Sequence, residues 1–134
     1  AAFDRSALAE EGNVSADRVK SFAVVCADEG GGLQRIVEKP EAPEQFVRDG
    51  KLWVNMNLYR FTPRIFEFCR SLEPDPERGE LELTSAVNAM VAEGGSEFHV
   101  HRCSGGVLDL TSRDDIPSLQ EALERVEPAF PSLR

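Results

Sequence analysis

Basic side chains are scarce in this chain: 15 Lys and Arg stand against 24 Asp and Glu, a formal charge of −9 over 134 residues. Nucleic acid and anionic membrane surfaces demand clustered cations to neutralise phosphates, so this balance argues against both partners and for a small ligand. Cysteine is sparse as well. The 3 Cys residues form no Cys-x-x-Cys pair and leave one thiol over under any pairing, which fits a reducing compartment. No apolar run approaches the length of a bilayer span, and no basic-then-apolar leader opens the sequence, so a cytoplasmic location is expected. The first residue is Ala1 and not Met, which is consistent with a fragment and equally with processing. Repeats and low-complexity tracts are missing. What remains is one domain at most, long enough to bury roughly two thirds of its unfolded surface.

Residues 1–20, rich in Ala, Glu, Asp and Arg, read as a charged segment able to form a short helix. Residues 21–27 and 33–37 are apolar, β-branched runs separated by Asp28-Glu29-Gly30-Gly31-Gly32, the pattern of a hairpin. A Pro-containing loop over 40–50, with one helical turn near Glu44 to Arg48, forms the mobile rim of a site. Over 51–61, Leu52, Val54, Met56 and Leu58 alternate with Trp53, Asn55, Asn57 and Tyr59, giving an apolar face and an amide-bearing face. Thr62-Pro63 reads as an N-cap and first helical residue, with Ile65, Phe66, Cys69 and Leu72 at helical spacing. A second helix is expected from Leu83 or Thr84 to Gly94-Gly95, burying Val87, Met90 and Val91. Residues 97–103 and 107–110 read as strands. Ser112 and Asp115 read as a capping box ahead of a last helix lined by Ile116, Leu119, Leu123 and Val126.

Two features carry chemistry on their own residues. The strand ending Ile36-Val37-Glu38-Lys39-Pro40 delivers an acid and a base together, and Asp109 is an isolated carboxylate among Val107, Leu108 and Leu110. An unpaired buried carboxylate is costly, and a cation removes the difficulty. His99, His101 and Cys103 alternate and would share one face of a strand. Zinc there would need a fourth ligand or a water, and Phe98 and Val100 already account for the run as half-buried.

Glu38-Lys39-Pro40, Asn55-Met56-Asn57-Leu58-Tyr59-Arg60-Phe61, Gly79-Glu80-Leu81-Glu82-Leu83-Thr84 and Gly106-Val107-Leu108-Asp109-Leu110-Thr111 occur in this order. Together they resemble the second, sugar-binding half of the sugar-1-phosphate nucleotidyltransferases, nearest the glucose-1-phosphate thymidylyltransferase and uridylyltransferase branch. The resemblance spans about residues 21 to 125. It divides the chain into a charged segment over 1–20, a sugar-phosphate-binding part over 21–127 and a tail over 128–134. The Gly-rich loop that wraps the triphosphate in that family does not occur in these residues, nor does its metal-binding Gly-Asp pair; Gly30-Gly31-Gly32 leads into a strand and not a helix.

The resemblance implies an α/β mixed-sheet sandwich, the C-terminal half of a Rossmann-like nucleotide-diphospho-sugar transferase fold. It further implies a parent enzyme joining a nucleoside triphosphate to a sugar-1-phosphate, with this chain alone inactive. Lys39 would be the catalytic cation on the sugar phosphate. Glu38, Asn55 and Glu80 would bind sugar or nucleotide hydroxyls, and Asp109 would hold Mg²⁺. Homo-oligomerisation is compatible with the resemblance. Asn57 departs from the family's usual Gly, which puts the sugar's identity in question. A non-catalytic sugar-phosphate-binding or regulatory module is the alternative.

Overall fold

The computed structural model describes residues 1–76, 78–94 and 98–125. A mixed five-stranded sheet runs in the order β3-β2-β4-β1-β5, where β1 is Ala2–Asp4, β2 Val24–Ala27, β3 Leu33–Val37, β4 Trp53–Asn55 and β5 Arg102–Cys103. The β1 and β5 pair is parallel and the other neighbours are antiparallel. Alternation along β2 sends side chains to two cores. Val24 joins Leu8, Val14, Val19, Leu52 and Val54 under α1 (Arg5–Glu10) and α2 (Ala16–Val19). Ala23, just before the strand, joins Ile36, Ile65, Ala86, Val87 and Met90 under α3 (Ile65–Arg70) and α4 (Leu83–Glu93). Helices on both faces of a mixed sheet make this the α/β sandwich that the sequence implies.

The first twenty residues do more than form a helix. Ala2 is fully buried in β1, between β4 and β5, and Leu8 and Val14 enter the first core. Asp4 ends the strand and caps α1 by accepting from the Ser6 amide at 3.1 Å. Its other oxygen lies 2.9 Å from Lys51 Nζ. Burial pushes the Asp4 carboxyl up, but the Lys51 contact and the Ser6 amide outweigh it and hold the pKa below its ordinary value. The folded pKa is therefore the lower one. Its contribution to stability is complete above the unfolded value near 3.9 and is lost as pH falls through the folded pKa. Urea melts across acid pH should show a flatter acid limb for Asp4→Asn than for the parent chain.

The hairpin is as expected. Asp28 N donates to Gly32 O at 2.9 Å, and Gly32 N donates to the Asp28 carboxylate at 2.8 Å. Gly31 sits at φ 84 against the His99 ring, where a Cβ would come within 2.9 Å of Cε1. At the outer edge, β3 is closed by a side chain: Asn88 on α4 donates to Ile36 O and accepts from Ile36 N, both at 2.8 Å.

Several expected elements differ. Residues 107–110 form no strand; Asn13 pairs with them instead. Its amide donates to Asp109 O at 2.8 Å and accepts from Asp109 N at 2.7 Å, and Gly106 packs so close to Glu11 that a Cβ would meet its carbonyl carbon at 2.3 Å. The long strand expected over 51–61 is regular strand only at Trp53–Asn55, and Leu58 is 58% exposed beyond the turn that Asn57 makes at φ 55. In α3, Phe66 points outward and Phe68 packs inward with Cys69 and Leu72. Helix α4 ends at Gly94 as expected and buries Val87 and Met90, while Val91 is only half-buried.

The capping box at Ser112 and Asp115 is present ahead of α5 (Ile116–Leu123), but Ile116 and Leu123 are exposed. Among the described residues 98–103 the only regular strand is β5, with one further bridge at His99. Gly95, Glu97, Val126 and the 128–134 tail lie outside the described residues. No described helix is long and apolar enough to cross a membrane.

Candidate active site

Glu38 and Lys39 leave β3 where β4 and the start of α4 converge, and the three enclose a cavity of about 380 Å³. Glu38, Lys39, Asn55 and Glu80 all line it, so four of the five sequence-derived site residues meet in one place. Asn57 and Thr84 complete the working set.

Each group is held by its local backbone. Asn55 is 5% exposed at the end of β4; its amide N donates to Ala23 O at 2.8 Å and its side chain folds over the turn that follows. Asn55 Nδ2 donates to Asn57 Oδ1 at 3.0 Å, and Asn57 N donates to Asn55 Oδ1 at 3.1 Å. Asn57 takes the left-handed backbone that a Gly would take, and its amide is spent on Asn55. Lys39 is also left-handed, at φ 37, although it precedes Pro40. A non-Gly residue held there costs of order 1–3 kcal/mol, which singles out its side chain as the reason for its presence. Its ammonium makes no ion pair among the described residues.

The acids differ in state. Thr84 Oγ1 donates to Glu38 Oε2 at 3.4 Å, leaving the second oxygen for a ligand. Glu82 is occupied by Arg78, whose Nε donates to it at 2.8 Å and whose guanidinium also reaches Asp75 at 3.0 Å. Glu80 is exposed and without an ion pair among the described residues. The α4 N-terminus carries no side-chain cap; the Ser85 amide is taken by Glu82 O at 3.0 Å, and the Leu83 and Thr84 amides face an acceptor from the cavity side. Behind Asn55, the Tyr59 hydroxyl is buried without a hydrogen-bond partner among the described residues. Burial first, then the Glu38 charge, push its pKa up to about 12; the Asn55 side chain opposes the rise from outside hydrogen-bond geometry. Thr84 and Tyr59 lie within motifs legible in the sequence, but only the fold shows that they flank Glu38 and Asn55.

Asp109 is not among the cavity's lining residues. Its Oδ2 lies 2.5 Å from the Arg18 guanidinium and accepts from Thr111 Oγ1 at 2.9 Å, while Arg18 also reaches Asp115 at 2.8 Å. Oδ1 has no partner among the described residues. The carboxylate thus has one oxygen to offer a cation and a guanidinium beside the other. His99, His101 and Cys103 form no metal site: no group of three potential ligands able to hold an ion occurs among the described residues.

Residues 4–120 of the chain match the nucleotidyl transferase family model, and the chain belongs to that family. A UTP–glucose-1-phosphate uridylyltransferase of Haloferax volcanii is 28% identical over 90% of this chain and 46% of its own length. A bifunctional sugar-1-phosphate nucleotidylyltransferase/acetyltransferase of Sulfurisphaera tokodaii is 32% identical over 60% of this chain and 18% of its own. A glucose-1-phosphate thymidylyltransferase of Streptomyces antibioticus is 34% identical over 54% and 18%. The chain spans less than half the length of each of these relatives.

Proposed function

We propose that the chain is the sugar-1-phosphate-binding part of a nucleotidyltransferase that joins a sugar-1-phosphate to a nucleoside triphosphate and releases pyrophosphate. The observation that carries this reading is the convergence of Glu38, Lys39, Asn55 and Glu80 on one cavity beside the uncapped start of α4. The unpaired Lys39 ammonium and the α4 amides are suited to the sugar phosphate. The free oxygens of Glu38 and Glu80 accept from sugar hydroxyls, and Asn55, fixed by Asn57, holds the sugar edge. In such a transfer two anions must meet in line, so the contribution of these residues is alignment and charge neutralisation. The triphosphate needs a Gly-rich loop that these 134 residues do not contain, so the chain alone should turn over neither substrate.

Asp109 fits Mg²⁺ as a single ligand through Oδ1, the remaining positions falling to substrate phosphates, waters and carboxylates outside this chain. When bound, the ion would neutralise charge on the reacting phosphates.

Glucose-1-phosphate is the probe for the cavity. Amide shifts around residues 38, 39, 55 and 84 should move saturably with it, at weak affinity because the pocket wall is incomplete. Lys39→Gly should remove that response by about tenfold or more in affinity while leaving stability unchanged or raised by up to about 1 kcal/mol, since Gly accepts φ 37 without strain. A Lys39→Gly chain that binds glucose-1-phosphate as the parent does would remove Lys39 from the site.

A further inference from the structure

A second cavity, of about 470 Å³, opens beside the β2–β3 hairpin and the 3-10 turn Pro43–Phe46, and its wall is cationic in an otherwise acidic chain. Arg35, Arg48, Lys51 and Arg102 line it together with Phe46 and Trp53, against a single carboxylate, Asp49. Elsewhere the basic side chains are largely taken up: Arg5 by Glu44, Arg18 by Asp109 and Asp115, and Arg78 by Asp75 and Glu82. Here Arg35, Arg48 and Arg102 have no carboxylate partner among the described residues, and Lys51 alone is paired, with Asp4.

The cations are aimed by structure. Asp49 and Gly50, at φ 52 and 74, form a tight turn across which Arg48 and Lys51 exchange backbone hydrogen bonds of 2.9 Å. Arg48 Nη1 is fixed on the carbonyls of Gln45 and Val47. Lys51 and Arg102 both stand over the Trp53 ring, at 5.4 and 5.6 Å from its centroid, and Arg35 stands over Phe46 at 5.9 Å. The ring contacts place the Arg35 and Arg102 guanidinium groups at the groove, and neither donates a side-chain hydrogen bond among the described residues. Two such forks, Arg35 and Arg102, joined by the remaining N–H groups of Arg48 and by the Lys51 ammonium, match an oxyanion carrying more than one phosphate, since each fork takes two oxygens. The rings themselves are already covered by cations, so the groove selects for phosphate over an aromatic base.

We propose that this groove is a second ligand site that takes a polyphosphate group, either inorganic diphosphate or the phosphate tail of a nucleotide. It shares no lining residue with the Glu38 cavity and does not rest on the sugar-phosphate reading. Trp53 is the only Trp in the chain, so its fluorescence reports this groove directly. Titration of the 134-residue chain with inorganic diphosphate should give a saturable change that weakens as salt rises. Arg102→Gln and Arg35→Gln should each weaken it by about tenfold, whereas Lys39→Gly should not alter it. Equal affinity for inorganic triphosphate and for a nucleoside triphosphate supports the proposal with phosphate alone as the determinant; tighter nucleoside triphosphate binding supports the nucleotide as the source and overturns the exclusion of the base. The proposal is overturned by a response to a nucleoside lacking phosphate that equals the nucleoside triphosphate's, by no saturation with any of the phosphate compounds, or by a response that survives both Arg variants and is lost in Lys39→Gly.

Discussion

Leu8→Ala should destabilise the chain by about 3 kcal/mol, lowering its melting temperature by roughly 10 °C. Leu8 is fully buried, and its cluster ties α1 and α2 to β2 and β4 through Val14, Val19, Val24, Leu52 and Val54. Truncation removes the transfer energy of the lost carbons and leaves a cavity among β-branched neighbours that cannot collapse far. Leu123→Ala is the matched control: Leu123 is 53% exposed on α5, and its loss should stay within about 0.5 kcal/mol. Chemical denaturation of both variants checks the pair. A loss below about 1 kcal/mol for Leu8→Ala would mean that the first twenty residues do not share the cooperative core.

That segment was the least legible part of the fold, for a physical reason. Ala2–Asp4 is a strand of three residues, too short to display a period of two, and the charges that follow it belong to the outer faces of α1 and α2. Composition reads the solvent face and misses the strand. The 107–110 run fails in the opposite sense. Val107, Leu108 and Leu110 are strand-like residues, but the backbone N–H and C=O of Asp109 between them are met by the Asn13 side-chain amide from far along the chain, and no local pattern announces that. The Asp49-Gly50 pair, by contrast, is a tight-turn signal that was readable within the 40–50 loop.

The candidate site was more legible because its residues carry motifs with a mechanical content. Glu38 and Lys39 end a strand at Pro40, Asn55 lies on the amide face of an alternating run, and Glu80 precedes a helix start; all three placements put side chains at one end of a sheet. Asn57 follows the same logic, since the left-handed φ of 55 is the conformation a Gly would supply. What the sequence could not display is that the Asn57 side chain turns back onto Asn55, leaving the cavity floor amide-lined. Nor could it display the separation of Asp109 from the cavity lining, which depends on where Arg18 draws the carboxylate.

Asp109→Asn separates the two roles open to that residue. As a clasp, Asp109 joins the 107–115 segment to α2 through Arg18, in side chains 22% and 30% exposed, so loss of its charge should cost about 1 kcal/mol of stability after solvent screening. Arg18→Gln should cost at least as much, because Arg18 also holds Asp115 at 2.8 Å and its loss leaves two carboxylates unpaired. As a metal ligand under the proposed function, Asp109 would act only where a triphosphate-binding part completes the site and triphosphate is present. There Asp109→Asn should lower pyrophosphate exchange by a hundredfold or more, about 3 kcal/mol of transition-state stabilisation, because the carboxylate oxygen that would hold the ion has become part of a neutral amide. Arg18→Gln keeps that oxygen and should leave exchange within about tenfold of the parent at a temperature where both remain folded. Exchange rates for the two variants, normalised to their folded fractions, therefore decide the question. A parallel fall in both would make Asp109 a structural clasp alone, and a loss confined to Asp109→Asn would fix it as a ligand.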